Sequence, residues 1–181
     1  MKNFLIVLSL CIIQFNLNGQ SRLIDRSGNL TFYSSAPMEN IEATNNSALG
    51  IIEMPSGKAA VSILIKGFKF EKALMQEHFN ENYMESDKFP KATFSGQMAD
   101  PQILEKVGKF ETEIKGQMTI HGVTKDLTMI CQFDISDSEI KVESKFNLTV
   151  ADYEIEIPKL VRNNIAKEVE VTANFKFAKN D

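Results

Sequence analysis

Between residues 110 and 135 the chain alternates apolar and polar side chains almost without a break. Phe110, Thr112, Ile114, Gly116, Met118 and Ile120 fall on one side, and Glu111, Glu113, Lys115, Gln117 and Thr119 on the other. After His121-Gly122 the pattern resumes, with Leu127, Met129, Cys131, Phe133 and Ile135 set against Thr128, Ile130, Gln132 and Asp134. A period of two places successive side chains on opposite faces of a strand, so each run is a strand with one buried and one wet face. Both runs are longer than the usual strand of about five or six residues. His121-Gly122 suits a tight turn, because glycine tolerates positive φ, and the two strands read as one long hairpin.

The same alternation recurs along most of the chain. It appears around Val61-Ile63-Ile65, Ala92-Phe94-Gly96-Met98, Ile140-Val142-Ser144-Phe146-Leu148-Val150 and Val169-Val171-Ala173-Phe175-Phe177. Less regular strand-like stretches lie near residues 21–25, 30–34 and 49–54. About eight strands separated by polar turns imply an all-β antiparallel sandwich or barrel. Strand length favours the barrel, since long strands curl and closure removes exposed edges. One segment departs from the pattern. Residues 71–84 carry good helix formers, with Leu74, Met75, His78, Phe79 and Tyr83 at helical spacing, which predicts one short helix against an opening or face of the sheet.

Residues 1–19 have the layout of a secretory leader: Lys2, a short apolar run over 4–13, polar residues, then Gly19. The apolar run is shorter than the roughly 20 residues a membrane span needs. Leu10 before Cys11 does not suit lipoprotein processing. The expected organisation is thus a leader over 1–19 and one domain over 20–181. Of the two cysteines only Cys131 would survive cleavage, so an internal disulfide is excluded and the domain stands on its core. Cys131 sits on an apolar strand face and reads as an inert core thiol.

Composition and spacing exclude several chemistries. The net charge is -4 and there is no dense Lys/Arg cluster, which argues against nucleic acid. The two histidines, His78 and His121, have no Cys, Asp or Glu at metal-ligand spacing, so no metal is expected. There is no Gly-x-Ser-x-Gly, P-loop or Gly-x-Gly-x-x-Gly, which leaves no support for a serine nucleophile or a nucleotide cofactor, and no cofactor is expected. Glu111 and Glu113 lie on a wet strand face and read as solvated.

What remains is the inward face, rich in phenylalanine and methionine: Phe94, Met98, Phe110, Ile114, Met118, Met129, Phe133, Phe146, Phe175 and Phe177. On the residues alone this stripe describes a filled barrel core as readily as the wall of a ligand pocket. Two details favour space for a ligand. Methionine packs adaptably against flexible tails, and Gly96, Gly116 and Ala173 on the same face read as leaving room.

The segment 116–125, with Thr-Ile-His-Gly-Val-Thr-Lys at its heart, resembles the signature hairpin of the YceI-like family. Glu77-His78-Phe79, then Lys88-Phe89-Pro90-Lys91-Ala92-Thr93-Phe94, are similar to that family's helix, acidic loop, aromatic-Pro and strand. Ala151-Asp152-Tyr153 falls where the family has a polar-aromatic turn. The likeness runs from about Leu23 to the C-terminus. The chain departs from the pattern at Asp126, where proline is common, at Arg26-Ser27-Gly28-Asn29, in the segment 159–164 and in having no Trp.

The resemblance implies an extended, lipocalin-like antiparallel barrel that binds an amphiphilic lipid, such as a polyisoprenoid or fatty-acyl chain, without catalysing a reaction. On that reading the inward Phe94, Met98, Phe110, Ile114, Met118, Met129, Phe133, Phe146 and Phe175 hold the tail, and His78, Asn82 or His121 meets the head group. The resemblance also implies a periplasmic location, with secretion as the alternative, and contact with a membrane surface for loading. Two rival readings are a structural or envelope-stress protein whose barrel is filled by its own side chains, and a lipid-modifying enzyme.

Overall fold

A computed structural model describes residues 21–161 and 163–179; the leader read over 1–19 lies outside the described residues. The elements are strands β1 (Ser21–Ser35), β2 (Asn40–Met54), β3 (Lys58–Leu64) and the two-residue β4 (Lys69–Phe70), helix α1 (Ala73–His78), then strands β5 (Lys91–Met98), β6 (Gly108–Ile120), β7 (Val123–Ile135), β8 (Glu139–Thr149) and β9 (Glu168–Ala178). Every pairing is antiparallel, and β1 pairs with both β2 and β9. The order β1-β2-β3-β5-β6-β7-β8-β9 therefore returns to β1 and closes an eight-stranded barrel, with β4 a short addition beside β2. Among the described residues no helix is long and apolar enough to cross a membrane.

The alternation read from sequence is the inside–outside alternation of this barrel. On β7, Met129, Cys131, Phe133 and Ile135 are buried while Thr128, Ile130, Gln132 and Asp134 are exposed. The long β6–β7 hairpin pairs in continuous register from Gly108↔Ile135 to Ile120↔Val123. His121 and Gly122 form its two-residue turn with φ of 51° and 78°. Positive φ at both turn positions matches the right-handed twist of paired strands.

The stretches at 21–25 and 30–34 belong to one strand, and the reason they looked irregular is a bulge. Buried positions on β1 are Leu23 and Asp25, then Gly28 and Ser34, so the inward parity switches from odd to even. The partner strand switches likewise, from Ala43 and Asn45 to Ala48, Gly50 and Ile52. The β1–β2 register shifts between Asp25 and Gly28 and again before Leu30. The buried Asp25 carboxylate holds the bulge, accepting from the Ser27 backbone N–H and hydroxyl and from the Lys176 N–H, each at 2.8 Å. A bulge of this kind bends a strand and re-aims its side chains.

The two ends of the barrel differ. At one end the 3₁₀ turn Pro101–Glu105 folds inward, leaving Ile103 and Leu104 4% and 1% exposed. They join Met98, Ile135, Ile140 and Leu23 in one buried cluster, and this end is packed shut. At the other end gather the 36–39 turn, helix α1, the loop after it, the β6–β7 turn and the long β8–β9 connection. The helical segment is shorter than its sequence suggested: α1 covers Ala73–His78 and continues as one wider, π-type turn over Phe79–Tyr83. Leu74, read there at helical spacing with the apolar set, points to solvent at 60% exposure.

Candidate functional site: an apolar tunnel open at one end

The barrel is not filled. A cavity of about 380 Å³ runs through its interior, within the range typical of small-molecule pockets, roughly 300–1,000 Å³. Its wall is built from the inward residues of the strands, among them Val61, Phe94, Ile114, Met118, Met129 and Phe146. Its deepest level is marked by Phe133, Val142, Phe175 and Phe177, which neighbour one another through the β7–β8 and β8–β9 registers. Below that level lies the packed end. At the other end the cavity is lined by Glu39, His78 and Asn164, and because His78 is exposed the tunnel reaches solvent there.

Four aromatic rings build one side of the mouth. Phe79, in the wide turn after α1, stacks on Phe32 at 5.5 Å between centroids and meets Phe70 at 5.0 Å and Phe68 at 5.8 Å. Phe32 in turn packs on Phe68 at 5.4 Å. Such ring pairs contribute beyond area burial, and they dock the helical segment on the barrel rim through β1 and the β3–α1 connection. Sequence reading did not assign these rings to the wall together. Phe32 lies beyond the bulge, and Phe68 sits in a connection between two very short elements, so neither carries a periodic signal.

Polar groups are few and confined mainly to the rim. Lys72 donates to Glu39 at 2.8 Å. That bond, assisted by one from Asn164, holds the Glu39 carboxyl below its ordinary range, and the same pair raises Lys72. Burial pushes the phenols of Tyr83 and Tyr153 up, so both stay neutral at physiological pH. Within the tunnel, burial also raises the Cys131 thiol, with a smaller opposing effect from Ser144 across the β7–β8 pair. A raised thiol is a poor nucleophile. Among the described residues no cluster of three or more His, Cys, Asp or Glu side chains is placed to hold a metal.

Of the side chains read from sequence as ligand contacts, Phe94, Ile114, Met118, Met129, Phe133, Phe146, Phe175 and His78 line the tunnel together. Three do not. Met98 and Phe110 face inward but belong to the closed end, one at the end of β5 and the other at the start of β6. Alternation reports which face a residue takes, not how deep it sits.

His121 is outside the tunnel wall and serves as a clamp. Its Nε2 lies 2.9 Å from Glu85 Oε2, its Nδ1 lies 3.2 Å from the Tyr153 carbonyl oxygen, and its ring meets the Phe89 ring at 4.5 Å. It thereby ties the hairpin turn to the loop after the helix and to the β8–β9 connection. Asn82, the other residue read as facing a head group, is exposed and is not part of the wall.

The room attributed to glycines is a correction as well. Gly96 and Gly116 are register partners on β5 and β6. A Cβ on Gly116 would lie 2.5 Å from Gly96 Cα, and one on Gly96 would lie 2.6 Å from the Phe94 ring. These glycines let two strands approach and an aromatic ring lie across them. They pinch the wall instead of widening the tunnel.

Comparison with known proteins agrees with this architecture. A polyisoprenoid-binding domain from Saccharophagus degradans, implicated in plant cell wall breakdown, superposes with a TM-score of 0.78 at 18% identity, covering 89% of this chain and 99% of that one. BcnA from Burkholderia cenocepacia gives 0.71 at 14% identity, covering 84% and 98%. A YceI protein from Campylobacter jejuni gives 0.58 at 15% identity, with full coverage of both chains. At these identities the likeness speaks for the fold. No curated protein matches the sequence significantly. The model of the YceI-like domain matches residues 18–177, nearly the whole chain. The chain belongs to the YceI-like family.

Proposed function

We propose that this protein is an exported, non-enzymatic carrier that sequesters an amphiphilic lipid, with the tail in the barrel and the head at the rim. The observation that carries the reading is the apolar cavity of about 380 Å³, shut at one end and open at the other. An apolar tunnel shut at one end favours a flexible hydrocarbon tail, since each methylene taken from water gains about 0.8 kcal/mol. The polyisoprenoid-binding relative from Saccharophagus degradans supports an isoprenoid as one tail class, and a fatty-acyl chain satisfies the same wall. Aromatic, Met and aliphatic side chains would grip the tail by contact alone, and no bond is made or broken. Export to the periplasm follows from the leader read over residues 1–19. Loading at a membrane surface would suit a mouth whose rim carries exposed polar groups.

The two rival readings fare less well. A self-filled barrel does not account for the cavity. A lipid-modifying enzyme would need an acid–base pair at the tunnel, whereas His78 stands exposed at its mouth and both ring nitrogens of His121 are engaged outside it.

Met118→Arg is the direct test. Met118 is 9% exposed on the tunnel wall, and a guanidinium there would meet an apolar surface that cannot solvate it. The folded variant should lose more than about 100-fold in affinity for a fluorescent long-chain probe, since charge burial costs several kcal/mol. Wild-type affinity in a folded Met118→Arg protein would refute tail binding in the tunnel.

A further inference from the structure

Resting on that lipid-binding reading, we propose that Phe175, seated in a socket made by Gly28 and Gly50, is the stop that sets how long a tail the tunnel accepts. Phe175 belongs to the deepest level of the cavity, and its ring lies 6.0 Å from that of Phe177. It extends from β9 onto the wall formed by β1 and β2. A Cβ on Gly28 would come within 2.5 Å of Phe175 Cδ1, and one on Gly50 within 2.6 Å of the same atom. Two glycines on neighbouring strands therefore leave a recess, and the ring fills it. Gly28 is also the residue at which the β1–β2 register shifts, so the bulge that re-aims β1 creates the socket. Any side chain at either glycine would push the ring out of this recess and further into the path of the tail.

The geometry also gives a tail length. The wall runs along β8 from Val142, beside Phe175, to Val150 just past its end, near the mouth. Eight residue steps at about 3.3 Å, on strands tilted by about 40°, give a depth of roughly 20 Å. An extended alkyl chain advances about 1.25 Å per carbon, given C–C bonds of about 1.5 Å. The tunnel therefore takes about 16 carbons before the chain meets the ring. Up to that length each added methylene should improve affinity about fourfold, and beyond it the gain should cease because further carbons stay in water.

The experiment measures affinity for a homologous series of saturated primary alcohols, from roughly ten to roughly twenty-four carbons, by displacement of a fluorescent long-chain probe. The wild-type protein should show the fourfold increments and then a break. In Phe175→Ala the recess opens and the break should move to chains longer by about four carbons, the room left by one ring. In Gly28→Ala the displaced ring should move the break to shorter chains. The double variant Phe175→Ala/Gly28→Ala should behave like Phe175→Ala, because the ring that collides is gone. Should Gly28→Ala fail to fold, Phe175→Ala alone decides the matter. A break at the same length in wild type and Phe175→Ala overturns the stop while leaving lipid binding intact. Failure of the wild-type protein to bind any alcohol overturns the lipid-binding reading and the stop with it.

Discussion

Replacing Gly116 by alanine should destabilise the barrel far more than one added methyl group suggests. The new Cβ would sit 2.5 Å from Gly96 Cα and 2.8 Å from the Ser95 carbonyl carbon. Carbon atoms pack at about 3.5–4.0 Å, so β5 and β6 would have to part by roughly 1 Å. Both obstructing atoms are backbone, and no rotamer change relieves them. Such a separation would carry adjacent ladder hydrogen bonds from about 2.9 Å to near 4 Å, beyond bonding range. Two lost bonds at about 1 kcal/mol each, with an overpacking cost of about 1–3 kcal/mol, give a loss of about 3–5 kcal/mol. For a domain of this size each kcal/mol lowers Tm by about 2–4 °C, so melting should fall by about 6–20 °C. Gly96→Ala supplies the comparison. Its nearest obstacle is the Phe94 ring at 2.6 Å, which can turn, while the Lys115 carbonyl oxygen at 2.8 Å is backbone but calls for a smaller strand shift. That variant should lose distinctly less stability but weaken probe binding by crowding the tunnel with Phe94. Urea and thermal unfolding of both variants test the reasoning. Gly116→Ala within about 0.5 kcal/mol of wild type, the ordinary scatter of surface changes, would refute the close-approach argument.

Two further outcomes follow from the rim and the strand surface. His121→Asn keeps a residue that tolerates the left-handed turn conformation but removes the clamp to Glu85, Tyr153 and Phe89; it should cost about 1–3 kcal/mol, and unchanged urea stability would show that the clamp contributes nothing. Glu139 is held below its ordinary range by hydrogen bonds from Lys176 at 2.7 Å and Lys141 at 3.1 Å. Its folded value lies below the unfolded one, so its stabilisation is complete above the usual carboxylate range near pH ~4.3 and is lost as pH falls through the lowered value. The urea midpoints of wild type and Glu139→Gln should therefore differ near neutral pH and converge in acid; a pH-independent difference would contradict the ion-pair origin.

The barrel was legible because closure needs little more than long alternating strands and polar turns, and from β5 to β9 nothing interrupts the period. The first hairpin was less legible because the bulge at residues 25–28 reverses inward parity on β1, and β2 follows it. Candidate wall residues on β6 to β9 were legible for the same reason the strands were. Depth was not, since Met98 and Phe110 share the inward face with Phe94 and Met118 and differ only in their level along the barrel. The turn role of His121 could be read from its glycine neighbour. Its clamp could not, because the partners lie 36 and 32 residues away in sequence. The glycine pinch escaped for a related reason: alternation names the face of Gly116 but not the strand that comes against it. The cluster of Phe32, Phe68, Phe70 and Phe79 assembles only when the bulged first strand meets the helical segment at the rim.

Whether the tunnel holds a lipid tail can be read by native mass spectrometry of the purified protein. One apolar adduct per chain should appear, either carried through purification or acquired after incubation with isoprenoid and fatty-acyl lipids, and released by organic solvent for identification. A protein that keeps its bare mass after both treatments, while folded and melting cooperatively, would contradict a lipid-holding tunnel.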